Sequence, residues 1–318
     1  ITGDMSVESE GFLIKDGKID TVIYKEESDY VLKVMGILKT KPEVLELERK
    51  CVMAGGIDAH VHFRDPGLTH KADMGTESRA AAAGGGTTAM DMPNTQPATI
   101  NEAAFIEKLE LAKEKSCINL GFNFGATNSN VEEIENILDG KTSINPEDVR
   151  GIKVFMGSST GNMLVDESET LDRLFAIKGK PVLVHCEDEE TIRTNLKDAQ
   201  ERYGEDIPFR EHENIRSRKA CIKSSIKALE KAMKHNTTLV LCHISTKEEA
   251  EMARAAKMNN PRIIAETSCN YLWFSNEDYD RMGSRLKCNP SVKSVSDREA
   301  LRAALAAGNI DTIGSDHA

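Results

Sequence analysis

An α/β fold, a (β/α)8 TIM barrel preceded by a small β region, is what this sequence predicts, on three observations. From Cys51 onward, short apolar runs of strand length alternate with longer runs of helical periodicity. Eight such apolar runs share ~265 residues, close to the ~250 residues and eight repeats of a (β/α)8 barrel. A doubly wound open sheet is the competing architecture, but no Gly-rich dinucleotide loop follows the first run.

Before the barrel, apolar residues flank Asp16-Gly17, a dipeptide that favours a two-residue hairpin turn. Residues 1–50 therefore read as short strands and turns, too small to bury a core alone. The barrel strands are expected at 52–60, 87–92, 118–124, 151–156, 181–185, 238–243, 262–267 and 311–315. Helices lie between most of them, including 102–115, 168–177, 188–203, 215–235 and 247–258. Gly84-Gly85-Gly86 immediately precedes a strand and reads as a tight helix-to-strand turn. Gly157 to Gly161 lacks the Gly-Lys-Ser/Thr ending of a phosphate loop and reads as a loop at the barrel's active face.

With 39% apolar and 29% charged residues the composition is that of an ordinary globular protein. A net charge of −11 argues against a nucleic-acid surface or an anionic membrane as partner. Seven cysteines without a CxxC pair do not form a disulfide framework and point to a reducing, cytoplasmic setting. No apolar run reaches membrane-spanning length. The chain begins at Ile1 and stops at Gly314-Ser-Asp-His-Ala318, which reads as part of a longer protein.

Polar residues at the C-terminal ends of barrel strands are where catalysis is built. The first strand runs into His60-Val-His62-Phe-Arg64. Alternation along a strand puts His60, His62 and by extension Arg64 on one face. Two imidazoles there can hold a divalent metal, and an arginine beside them an anionic substrate. The fifth, sixth and eighth strands end in His185, His243 and Asp316, again metal-ligand types. Lys153 sits inside the fourth strand. It either snorkels to the barrel mouth or is buried as an amine. A buried amine can take up carbon dioxide to form a carbamate with two ligand oxygens. His70, His212 and His235 lie in loop or helix contexts and are expected to be solvated.

These residues resemble the amidohydrolase superfamily, whose pattern is HxH, a carboxylated lysine, two histidines and an aspartate on barrel strands. Within it, His60-Val-His-Phe-Arg-Asp-Pro-Gly67 and Met92-Pro-Asn-Thr95 are similar to the signatures of dihydroorotases, and further matching segments run in order to Ala318. The resemblance implies two divalent ions, zinc foremost, with cobalt and manganese able to use the same histidine–carboxylate donors. One is held by His60 and His62 with Asp316 near it, the other by His185 and His243, and the Lys153 carbamate bridges them. It implies reversible cyclisation of N-carbamoyl-L-aspartate to L-dihydroorotate in pyrimidine biosynthesis. Asp316 would be the general acid and base, with Arg64, Asn94 and Asn289 on the substrate. It also implies that residues 1–50 belong to a small β-sandwich completed by a C-terminal segment absent here. A homodimer and an association with aspartate carbamoyltransferase are the partner arrangements it suggests.

Two departures stand out. Glu266-Thr-Ser-Cys-Asn-Tyr-Leu-Trp273 replaces a Thr-Pro-His-His-Leu motif of many relatives, and the histidine that often follows Asp-His-Ala lies beyond Ala318. Other readings are a hydantoinase, dihydropyrimidinase or allantoinase, which generally lack the Arg64 and Asn94 pair, and a non-catalytic scaffold relative, which usually loses metal ligands.

Overall fold

The computed structural model describes residues 11–24, 43, 45–47, 50–157 and 163–318. The chain divides into two compact units, residues 1–55 and 56–318. In the first, β1 (Gly11–Lys15) and β2 (Lys18–Ile23) form an antiparallel hairpin with Lys15 opposite Lys18. Asp16 and Gly17 both take positive φ (51° and 73°), as the two-residue turn requires. The sandwich expected of residues 1–50 lies largely outside the described residues, as does most of the loop 157–161.

The second unit is an eight-stranded parallel sheet in sequential order. Its strands are β3 (Gly56–Val61), β4 (Gly86–Asp91), β5 (Asn119–Gly125), β6 (Val149–Phe155), β7 (Val182–His185), β8 (Leu239–Leu241), β9 (Ile263–Ser268) and β10 (Thr312–Gly314). Closure comes from a parallel bridge between Val61 and His317. His62 N donates to His317 O (2.7 Å) and Asp316 N to His60 O (2.9 Å) across the seam. The expected (β/α)8 barrel is therefore present, and its seam joins the two strand ends that carry His60, His62 and Asp316.

Helices α1 (Met74–Ala83), α2 (Glu102–Lys115), α3 (Val131–Leu138) and α4 (Ser168–Ala176) follow β3 to β6 in turn. After β7 come α5 (Glu189–Tyr203), α6 (His212–Ile215) and α7 (Arg218–His235), and after β8 comes α8 (Lys247–Lys257). Short helices α9 (Cys269–Trp273) and α10 (Tyr279–Met282) and then α11 (Val295–Ala306) follow β9. Among the described residues no helix is long and apolar enough to cross a membrane. Caps fix several starts: Asn101 accepts from Ala104 N, and Thr246–Glu249 and Ser294–Asp297 form reciprocal capping boxes. Strands such as β7, buried at all four positions, read as continuous apolar runs because both faces are covered. Inside the barrel, Met92, Leu183, Val240 and Cys242 pack with Ile264, below the strand ends.

Three expectations need correction. The first strand starts at Gly56, not at residue 52. Gly56 pairs with Gly86, where β4 begins, and Val52 and Met53 ahead of it are exposed. The helix expected at 215–235 starts at Arg218, Ile215 being the last residue of the short helix α6. Arg216 leaves the helical region (φ −92°, ψ 65°), its guanidinium bonds Glu187, and extended Ser217 precedes α7. His70 is exposed, but His212 and His235 are not freely solvated. His235 pairs with Asp172 at 2.8 Å, and buried His212 donates from Nε2 to Cys288 O at 2.8 Å.

Burial holds His212 down to about 4, from an ordinary histidine value of 6.5, against the opposing pull of the Cys288 carbonyl. Between those values the unfolded chain takes up a proton that the folded chain refuses, so stability falls as pH drops from 6.5 towards 4. His212 alone accounts for roughly 3 kcal/mol across that window. Urea midpoints against pH check this, and His212→Gln is expected to flatten the slope. An unchanged slope would assign the acid sensitivity elsewhere.

Candidate active site

Four histidines and one aspartate converge at the C-terminal mouth of the barrel. His60 and His62 leave β3 on the same side, with ring centroids 5.3 Å apart. Asp316 Oδ1, just past β10, lies 3.1 Å from His62 Nε2 and 3.5 Å from His60 Nε2. His185 at the end of β7 and His243 beyond β8 face each other, Nδ1 to Nε2, at 3.1 Å. The His60 and His243 rings, 5.2 Å apart, join the two groups.

The backbone bends to make this cluster. Among the described residues five non-glycine residues have positive φ, and Asp16 and Asn236 are turn and cap residues of types that tolerate it. The other three are Arg64 (62°), His243 (39°) and Asp316 (52°). Strain of this kind persists where surrounding structure over-determines a position, and it clusters at functional sites. Gly314 belongs to the same arrangement: a Cβ there would lie 2.6 Å from His60 Cβ and 3.1 Å from the Glu266 carboxyl carbon.

Each of three imidazoles is held through one nitrogen, leaving the other for the centre. Glu266 Oε1 accepts from His60 Nδ1 (2.6 Å), Asn94 Oδ1 from His62 Nδ1 (2.6 Å), and Glu187 Oε2 from His185 Nε2 (2.9 Å). That is the outer-partner arrangement of metal-ligating histidines. His60 Nε2 and His243 Nδ1 are buried without a hydrogen-bond partner among the described residues. His60, His62 and Asp316 place ligand atoms within 4.8 Å of one another, as do His60, Cys242 and Glu266. The donor set therefore fits divalent cations.

Electrostatics agree. Burial holds His60 and His243 well below the ordinary histidine value and lowers His185, so their lone pairs stay available. Burial alone would raise Asp316, but the nearby His60 and His243 and the hydrogen bond from His62 keep its carboxyl far below the usual range. Burial likewise opposes ionisation of Glu187, yet His185 and Arg216 hold it at about 2. Burial pushes Glu266 up to about 7, with Lys153 opposing.

Lys153 does not snorkel. It is wholly buried on β6, its Nζ 3.3 Å from Cys242 Sγ and 5.1 Å from the Phe155 ring centroid. No carboxylate pairs with it among the described residues, and a buried ammonium in that setting is costly. Arg64 is buried too, but β3 has ended at Val61 and the alternation does not reach it. Its NH1 lies 3.5 Å from Asn94 O, and its Nε has no partner among the described residues. Asn94 orients His62 through its side-chain oxygen, and its amide NH2 donates to no hydrogen bond seen among the described residues. Asn289 is half-buried between α10 and α11.

Sequence reasoning passed over Glu266 and Glu187 as partners of the histidines. Their signals were modest: an acidic residue ending the apolar run Ile-Ile-Ala, and a glutamate two positions after His185.

A parallel barrel whose strand ends gather histidines and an aspartate around ligand-ready nitrogens defines a metal-site (β/α)8 protein. The Amidohydrolase family matches residues 51–318, and the chain belongs to it. It is 35% identical over 285 residues to a dihydroorotase of Methanosarcina mazei, covering 86% of this chain and 60% of that protein. An allantoinase of Deinococcus radiodurans is 32% identical over 286 residues, with the same shares of 86% and 60%. Among solved structures, the L-hydantoinase (dihydropyrimidinase) from Arthrobacter aurescens superposes with a TM-score of 0.81 at 26% identity. That match covers 98% of this chain and 67% of that one. The chain thus spans about 60% of the length of the first two relatives.

Proposed function

We propose that this protein is a metal-dependent hydrolase of cyclic amides and that its ring substrate carries a carboxylate, as L-dihydroorotate does. The observation that carries the second half is Arg64, a buried guanidinium with an unused Nε beside the Asn94 that orients His62. A planar fork of donors matches a carboxylate. Hydantoin and allantoin are the second reading, favoured by the close superposition on a hydantoinase.

Two divalent ions would polarise the ring carbonyl and make water nucleophilic at neutral pH. His60, His62 and Asp316 would hold one, His185 and His243 the other, with the Lys153 carbamate between them. Zinc suits these donors. Asp316 accepts the proton of the attacking water and delivers it to the ring nitrogen as the C–N bond breaks. Arg64 and the Asn94 amide fix the substrate carboxylate, and Asn289 contacts the ring. In reverse the same groups close N-carbamoyl-L-aspartate. The free cysteines fit a cytoplasmic setting.

Arg64→Gln tests the substrate class. Loss of charge-assisted hydrogen bonds, each ~1.5–3 kcal/mol, lowers kcat/KM for L-dihydroorotate about 10- to 100-fold and leaves hydantoin turnover unchanged. An equal loss on both rings would refute a carboxylate-binding role.

A further inference from the structure

Two full charges are wholly buried next to the strand ends that carry Arg64 and Asn94. Asp91 closes β4, and Lys108 stands on the buried face of α2 with Ala104 and Phe105. Lys108 Nζ lies 2.7 Å from Asp91 Oδ2 and 5.4 Å from the Phe122 ring centroid. Pairing of β3 with β4 runs to Val61 opposite Asp91, and Met92 N donates to Val61 O (2.9 Å). The next bond of a regular parallel ladder would run from Phe63 N to Met92 O. Instead Phe63 N donates to Asp91 Oδ1 (2.8 Å), and Lys108 Nζ donates to Met92 O (2.8 Å). The ion pair occupies that rung. We propose that Asp91 and Lys108 are positioning residues whose ion pair holds the ends of β3 and β4 apart and so seats Arg64 and Asn94 for the substrate carboxylate. The proposal rests on the carboxylate reading of Arg64.

Position argues for it. Phe63 lies between His62 and Arg64, and Met92 stands two residues before Asn94. Directly after the captured amide, Arg64 turns at positive φ (62°), and its NH1 lies 3.5 Å from Asn94 O. Burial disfavours the Arg64 cation, and Asp91 is the foremost charge opposing that. Cost argues likewise. An apolar pair of similar volume is often as stable as a buried ion pair or more so, so packing α2 on the sheet does not by itself call for these charges. With an apolar pair, Phe63 N and Met92 O would be left to close the ordinary rung, drawing the strand ends together. His62 is held from the other side, its N donating to His317 O (2.7 Å), so the metal ligands keep their places.

The double variant Asp91→Leu/Lys108→Met removes both charges together and leaves neither alone in the interior. It is expected to melt close to the unaltered protein and to bind the same amount of metal. Its KM for L-dihydroorotate is expected to rise about 10-fold at unchanged kcat, with hydantoin kinetics unaffected, the mark of lost ground-state binding. Asp91→Asn/Lys108→Gln puts two amides back into the rung and is expected to recover most of the KM. Adding Arg64→Gln to the apolar variant is expected to cost little more, because both changes remove one interaction. An unchanged KM in the apolar variant, an equal loss on both rings, a full Arg64→Gln effect on top of it, or an apolar variant that does not fold overturns the proposal. Arg64→Gln without effect in the otherwise unaltered protein overturns the carboxylate reading beneath it, so the two failures are told apart.

Discussion

Asp316→Asn is expected to lower kcat for ring opening by about 10²–10⁴-fold, the range a positioned general acid or base supplies. Asparagine keeps the shape and the Oδ1 that lies 3.1 Å from His62 Nε2, so metal content and KM are expected to change little. What it loses is a basic oxygen. In the native site the carboxyl is ionised well below neutral pH by the surrounding imidazoles, so it stands ready to take a proton. Kinetics and metal counting on the same sample decide the matter. Loss of metal in parallel with activity would make Asp316 a ligand first and a proton carrier second.

Lys153→Ala is expected to have a comparable effect by another route. Lys153 is wholly buried on β6 and has no carboxylate partner among the described residues. Removing it as a bridging anion costs more than the ~10–100-fold typical of an outer-shell partner. The protein is expected to hold one metal equivalent where it held two. A short carboxylate such as acetate, supplied at high concentration, has two oxygens and room in the vacated space, and is expected to restore part of both activity and metal. Retention of two equivalents and full turnover would show that Lys153 carries no bridging group. A melting curve separates either result from simple loss of fold.

The barrel and its mouth were legible in the sequence because both rest on local signals. Buried parallel strands read as apolar runs, and a histidine or aspartate closing such a run stands out against it, as at His185 and Asp316. What remained hidden depends on side chains that meet only in the folded chain. Glu266 lies 206 positions from the His60 it orients, and nothing local separates it from a solvated glutamate. Asn94 was expected on the substrate; its carbonyl oxygen is already engaged with His62. Arg64 takes positive φ beyond the end of β3, so alternation along the strand could not place it. The break at Arg216 has the same origin: a tertiary bond to Glu187 overrides a continuous helical pattern.

The three tethered imidazoles also bear on how the site tolerates change. Tethers come from β9 (Glu266), the loop after β4 (Asn94) and the segment after β7 (Glu187), so disturbance of any one strand end reaches the cluster. Those distances are fixed by the barrel itself, because β3 and β10 meet at the seam beneath His60 and Asp316. Placing functional groups on rigid strand ends is what permits geometry this tight.

Initial rates of ring opening by the metal-loaded protein, on L-dihydroorotate, hydantoin and allantoin in parallel and again after chelation, test the central claim most directly. Turnover of L-dihydroorotate ahead of the neutral rings, abolished by the chelator and restored by divalent metal, is the predicted result. Turnover that survives chelation, or none on any ring with two equivalents bound, would contradict a metal-dependent cyclic-amide hydrolase.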